Sequence, residues 1–262
     1  MILSLPDPIV SEVPVLVCTD SPPARTVTLN RRHKANALSA AMMEKLAAIA
    51  AGTGAGEILV LRSASPTLFC AGADIAEFVA GGDALAAQEH ALLSMISQLA
   101  SCSAPVVAVA RGKASGAGAI MLALADVVLA ADDLEIACPE IRFGMFPIIV
   151  EAVLQSRLPA ALATRLCLTG QALGAQEAAR FGLVTEVLRA ATFEGEAASR
   201  LATYLERAPA LCIARNSRQR LHPPAALLER VERVAPLMAE NFSRPGVRAR
   251  IEAYLAQLGQ RT

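Results

Sequence analysis

Short apolar runs alternate with stretches of helical periodicity over about two thirds of this chain. Residues 15–18 and 26–29 read as short strands separated by a Ser21-Pro22-Pro23 turn. Ser39 can cap a helix running to Ile49, with Met42, Met43, Leu46, Ala47 and Ile49 near helical spacing. The glycines of residues 52–56 end that helix, and residues 58–61 form a continuous apolar run of buried-strand type. A helix over 84–99, a strand over 105–109, a helix over 116–124 and a strand over 127–130 follow. Repeated strand–helix units favour an α/β fold with mainly parallel pairing. Beyond about residue 195 the strand signal disappears. Amphipathic helices over 225–240 and 247–258 lie behind a His222-Pro223-Pro224 break. Two units are expected, a core over 1–195 and a helical C-terminal module over 196–262.

Composition narrows the possibilities. Apolar residues make up 54% and charged residues 18% of the 262, which is ample for a buried core and excludes a disordered chain. The 24 basic and 24 acidic residues cancel, so no basic field exists to hold nucleic acid. Six cysteines are scattered without a Cys-x-x-Cys pair, and three histidines are equally dispersed. They read as buried thiols in a reducing compartment, with neither a disulfide frame nor a metal site. Residues 1–20 carry Asp7 and Glu12 but no Lys or Arg, unlike a signal or transit peptide. The most apolar stretch, 114–131, contains Ser115, Gly116, Gly118 and Asp126 and reads as core instead of a membrane span. The expectation is a soluble cytoplasmic protein.

Three glycine-containing loops could carry chemistry. Gly52-Thr53-Gly54-Ala55-Gly56 precedes a strand, so it cannot feed a helix N-terminus as a dinucleotide loop does. Gly112-Lys113-Ala114-Ser115-Gly116 lacks phosphate-loop spacing but lies between a strand and a helix, where free N–H groups can bind an oxyanion. The loop from Leu68 to Ile75 is rich in small residues that admit a ligand close to the backbone, and Asp74 can cap the helix after it.

Taken in order, these segments resemble the crotonase, or enoyl-CoA hydratase/isomerase, superfamily. The resemblance begins with Asn30-Arg31 and Asn36-Ala37-Leu38 and continues through Phe69-x-Ala71-Gly72-Ala73-Asp74, Gly112, Gly116-Ala117-Gly118 and Asp126. It ends with Pro139-Glu140-Ile141, Gly144-x-x-Pro147, Leu168-Thr169-Gly170, Glu177-Ala178 and Gly182-Leu183-Val184. It implies a spiral of ββα units followed by C-terminal helices that pack between subunits of a homotrimer or hexamer. It also implies an acyl-CoA substrate, with coenzyme A entering as part of that substrate and no separate cofactor. The thioester oxygen would be held by the backbone N–H groups of Ala73 and Ala117, as an oxyanion hole that stabilises an enolate. Arg31, Lys34 and Ala71 would lie by the nucleotide, with Asp74, Ile120 and Phe146 also along the substrate.

The family's hydratases use two glutamates. Glu140 matches the one that manages the Cα proton, whereas the other position holds Ile120, which cannot exchange a proton. A single carboxylate suits double-bond isomerisation or dienoyl-CoA hydration. Glu151, eleven residues after Glu140, is the alternative second carboxylate for ordinary 2-enoyl-CoA hydration; its bland reading is a solvated helix residue. Two other classes compete: an acyl-CoA-binding protein without catalysis, and a Clp-type serine peptidase using Ser115. The peptidase needs a histidine near that serine, and residues 138–140 supply Cys-Pro-Glu where one would be expected.

Overall fold

The structure, a computed structural model, describes residues 15–259. The reading of residues 1–20 as free of a targeting signal falls mostly outside that range, and the Leu258 side chain is also outside the description. The chain opens with an antiparallel hairpin of β1 (Leu16–Ser21) and β2 (Ala24–Leu29). Helix α1 (Ala40–Gly52) starts where the Ser39 side chain accepts from the Met42 N–H at 3.3 Å. Next come β3 (Ile58–Ser63), α2 (Ile75–Ala80), α3 (Asp83–Ser101) and β4 (Val106–Ala110). The middle of the chain holds β5 (Lys113–Ser115), α4 (Ala117–Leu124), β6 (Val127–Ala131) and β7 (Glu135–Ala137). After a 3-10 turn, Pro139–Phe143, come α5 (Ile148–Leu154), α6 (Ala160–Thr169), β8 (Leu173–Gly174), α7 (Ala175–Arg180) and β9 (Glu186–Leu188). The remainder is helical: α8 (Phe193–Glu206), α9 (Ala208–Leu221), α10 (Ala225–Val234), α11 (Pro236–Ser243) and α12 (Val247–Gly259).

Strands pair in the order β1-β2-β3-β4-β6-β9, all parallel after the first hairpin. Strand β4 is buried along its whole length and β3 over its first four residues, as strands covered on both faces must be. A second, smaller sheet has the order β5-β7-β8. Two parallel bridges, Leu38 to Ala73 and Cys70 to Ala114, add single residues from earlier segments on the β5 side. Each turn of the chain thus gives a long strand to the large sheet, a short segment to the second layer, and a helix. That is the expected ββα spiral, and its short layer is where the functional loops meet.

The second layer was invisible to periodicity, because segments of two or three residues cannot show a period. Helix prediction over 225–240 also needs correction. Pro236 has no N–H to donate, so the segment divides into α10 and α11 at Ala235–Pro236. Helices α8 and α9 place Ala197 and Ala208 against Ile58, Val60 and Val107 of the large sheet. Asp126, which resembled a family position, accepts from the Val106 N–H at 2.8 Å and pairs with Arg215 and Arg218 of α9. The apolar stripe of α10 packs on α5 and α3, and that of α12 on α2 and the 3-10 turn. Val231, Val247 and Ile251 are buried there. Leu227, Leu228, Val234 and Leu255 are only partly buried and Tyr254 is 42% exposed, so packing within the chain covers these stripes in part.

Five of the six cysteines are buried as expected, while Cys18 is exposed on β1; all six are free thiols. No helix among the described residues is long and apolar enough to cross a membrane.

Candidate active site

Four segments converge on one cavity of about 1170 Å³. The first is residues 33–37, after β2. Here Ala35 and Asn36 adopt left-handed backbone (φ 50° and 53°). Asn36 is fully buried: its Oδ1 accepts from the Arg31 N–H at 2.8 Å. Its Nδ2 donates to Ser63 Oγ at 2.8 Å and to the Phe69 carbonyl at 3.1 Å. A polar side chain sealed in this way holds two loops together, since each of its groups would otherwise be buried unpaired.

The second segment is residues 70–76. Leu38 donates to the Gly72 carbonyl and accepts from the Asp74 N–H, both at 2.8 Å. In a parallel bridge this turns the N–H of the intervening Ala73 to the opposite side. The third segment is the start of α4, where Ala117 is the first helical residue and its N–H has no intrahelical acceptor. Neither N–H is bonded among the described residues. The two loops touch: a methyl built on Gly72 would lie 3.9 Å from the Ala117 nitrogen. Both alanines line the cavity. Two free, fixed N–H groups can bind a developing oxyanion with no reorganisation.

The fourth segment carries Glu140, in the 3-10 turn. A methyl on Gly116 would lie 2.6 Å from its Oε1, so the carboxyl sits against the backbone that starts α4. Oε2 is buried and unpartnered. Burial pushes the Glu140 pKa up from 4.5 to about 7, only partly opposed by a hydrogen bond from its own backbone N–H. The residue still borders the cavity, so the carboxyl is shielded from bulk water yet reachable by a ligand. Ile120, one helical turn beyond Ala117, lines the cavity with Phe146, Phe78, Met145 and Ile149. Exposed His33, Lys34, Arg142 and Arg250 also border it, and Lys34, Arg142 and Arg250 bring positive charge to the wall.

The enoyl-CoA hydratase/isomerase family profile matches residues 24–254. The chain belongs to that family. A probable enoyl-CoA hydratase of Rhodobacter capsulatus is 34% identical over 193 residues, covering 72% of this chain and 74% of that protein. One from Mycobacterium leprae is 34% identical over 169 residues, 63% of this chain and 65% of that one, so the match spans just under two thirds of its length. In fold the chain resembles an enoyl-CoA hydratase of Mycobacterium avium subsp. paratuberculosis, with a TM-score of 0.81 at 24% identity. That likeness covers 94% of this chain and 97% of the other.

Within this family member, the residues singled out from sequence are not all at the cavity. Lys34, Ala71, Ala73, Asp74, Ala117, Ile120, Glu140 and Phe146 border it. Arg31 does not; its guanidinium pairs with Asp74 at 2.6 Å and donates to the Ala37 carbonyl at 3.0 Å. Asp74 is therefore engaged twice, by Arg31 and as the cap accepting from the Ala76 N–H. Glu151 also lies off the cavity wall and accepts from the Thr164 hydroxyl at 2.5 Å. Ser115 is not on the wall, and no histidine bonds to it among the described residues. Sequence reasoning missed the wall supplied by α11 and α12, including Met238, Asn241, Phe242 and Tyr254. Their sequence signal was amphipathicity, which places a face but not the partner it meets.

Proposed function

We propose that this family member moves a double bond along an acyl-CoA chain by proton transfer from C2 to C4 of the acyl group. Glu140 carries the reading: a shielded carboxyl with one free oxygen and a pKa near 7, next to two unspent N–H groups. A group of that pKa serves as both base and acid at neutral pH. The N–H groups of Ala73 and Ala117 take the thioester oxygen of a 3-enoyl-CoA. The Glu140 carboxylate removes a proton from C2, and the C–H electron pair delocalises into a dienolate whose oxygen those N–H groups hold. One such donor is typically worth roughly 10² to 10³ in rate. The Glu140 carboxyl then delivers the proton to C4, leaving the double bond between C2 and C3 and restoring the carboxylate. The cationic side chains of Lys34, Arg142 and Arg250 on the cavity wall complement the phosphates of coenzyme A, which enters only as part of the substrate.

Hydration of a 2-enoyl-CoA is the second reading, favoured by the names of the relatives. It needs a second group to activate water, and the position that carries the family's other glutamate holds Ile120 here. Glu151 supplies that group only by leaving Thr164 and reaching the wall. Hydration of a conjugated dienoyl-CoA asks for one carboxylate and fits the first reading's chemistry. Purified protein assayed with 3-enoyl-, 2-enoyl- and dienoyl-CoA thioesters in D₂O decides between them. Isomerisation in which the C2 proton reappears largely at C4 is expected, with deuterium entering only as far as the Glu140 proton exchanges with solvent. Glu140→Gln should lower the rate roughly 10² to 10⁴-fold. Efficient 2-enoyl-CoA hydration that Glu151→Gln abolishes would overturn the single-carboxylate mechanism. Binding of acyl-CoA without turnover of any of the three would overturn the enzyme reading.

A further inference from the structure

Two buried, unpartnered side-chain oxygens belong to residues of the cavity wall: Glu140 Oε2, used by the chemistry above, and Asn241 Oδ1, which it does not use. Asn241 sits on α11 and is only 5% exposed. Its amide orientation is set by its neighbours. Nδ2 donates to the Leu237 carbonyl at 3.0 Å and to the Phe146 carbonyl at 3.4 Å, which occupies both of its protons. Turning the amide over would aim an oxygen at two carbonyl oxygens. Oδ1 is thus held as an acceptor with no donor. Its surroundings are apolar: Met238 lies one turn earlier on α11, and Phe242 stacks on Phe78 with ring centroids 4.5 Å apart. The carboxylates of the wall are Glu140 and Asp74, and Asp74 is already paired with Arg31.

A lone neutral acceptor among aromatic and aliphatic groups does not suit an ammonium, which would bring a charge needing more than one partner. It suits a neutral donor. We infer that the acyl chain of the substrate carries a neutral hydrogen-bond donor, a hydroxyl or an amide N–H beyond the reacting carbons, and that Asn241 Oδ1 accepts from it. This rests on the acyl-CoA reading of the same cavity. A site with a buried acceptor discriminates strongly against a ligand without the donor, because the acceptor then stays unpaired in the complex.

Binding of saturated, unreactive thioesters tests this without turnover. Hexanoyl-, octanoyl- and decanoyl-CoA are titrated into the wild-type protein alongside their ω-hydroxy counterparts and chains of matched length ending in a primary amide. At one chain length, the hydroxy or the amide ligand should bind about ten- to a hundredfold more tightly than the plain chain. Which of the two does so assigns the donor. Asn241→Leu should abolish that preference while plain-chain affinity stays the same or rises. Equal affinity for all three ligand types at every length overturns the inference and leaves the acyl-CoA reading standing. Failure of every thioester to bind overturns both. A preference that persists in Asn241→Leu also overturns the assignment, whereas its loss with plain-chain binding intact separates recognition from packing.

Discussion

Glu140 links catalysis to a cost in stability. Its pKa is about 7 when folded against an ordinary 4.5, so between those values the folded protein holds more protons than the unfolded chain. Stability therefore falls as pH rises through that window and levels off above it. A shift of this size corresponds to about 3 kcal/mol. Glu140→Gln should melt higher than wild type at pH 8, with the gain vanishing near pH 4, as thermal unfolding across pH would show. The same group predicts a kcat/KM limb that rises with an apparent pKa near 7. Gly116 supplies a second test at this scale. Its φ of +49° disfavours a side chain, and a methyl there would meet Glu140 Oε1 at 2.6 Å. The carboxyl is a movable side-chain end, so Gly116→Ala should fold, at a cost of roughly 1–3 kcal/mol of backbone strain. Displacing the carboxyl should lower kcat about a hundredfold. Unchanged kcat in a folded Gly116→Ala protein would count against Glu140 as the proton carrier.

Among the elements, α2 shows how a short helix serves the site. Six residues cannot sustain a helix alone, and α2 depends on the Asp74 cap and on packing against α3 and α12. Asp74 follows directly after Ala73, so whatever fixes the cap also aims the Ala73 N–H. Arg31 and the Leu38 carbonyl both fix it. Buried Gln88 of α3 adds a third tie by donating to that same carbonyl at 3.1 Å. Asp74→Ala removes the cap and strands a mostly buried guanidinium. A loss of about 1–3 kcal/mol in urea unfolding is expected, together with weaker acyl-CoA binding. Asp74→Asn keeps a capping oxygen and should lose less. Equal losses for the two would mean that the ion pair with Arg31 contributes nothing beyond the cap.

Over the whole molecule, the C-terminal helices close the cavity of their own chain, yet α9 leaves large apolar side chains in solvent. Ile213 is 69% exposed and Leu221 77%. An assembly is the expected use of such a face. The family resemblance implies a trimer or hexamer, so light scattering should return three or six times the 27.3 kDa chain mass. Ile213→Asp should lower that mass with the circular dichroism unchanged if this face is the interface. A monomer at micromolar concentration would contradict the assembly.

The alternation of strands and helices was legible from residues 26 to 130, because long periodic segments and continuous apolar runs are properties of local sequence. Ala73, Ala117 and Glu140 were put forward by the resemblance of the ordered motifs to the enoyl-CoA hydratase/isomerase family, and the fold brings all three to one cavity. What the chain order could not convey is which groups are already engaged. Arg31 and Asp74 are far apart in sequence, and their pairing exists only once the segment after β2 meets the segment before α2. Glu140 and Glu151 look alike on paper. Packing leaves the first with an unpartnered oxygen and the second bonded to Thr164, thirteen residues away on the next helix. The orphaned oxygen of Asn241 is likewise a product of tertiary contact. Its amide is oriented by a carbonyl ninety-five positions earlier, and hydrogen-bond satisfaction depends on partners that sequence does not place side by side.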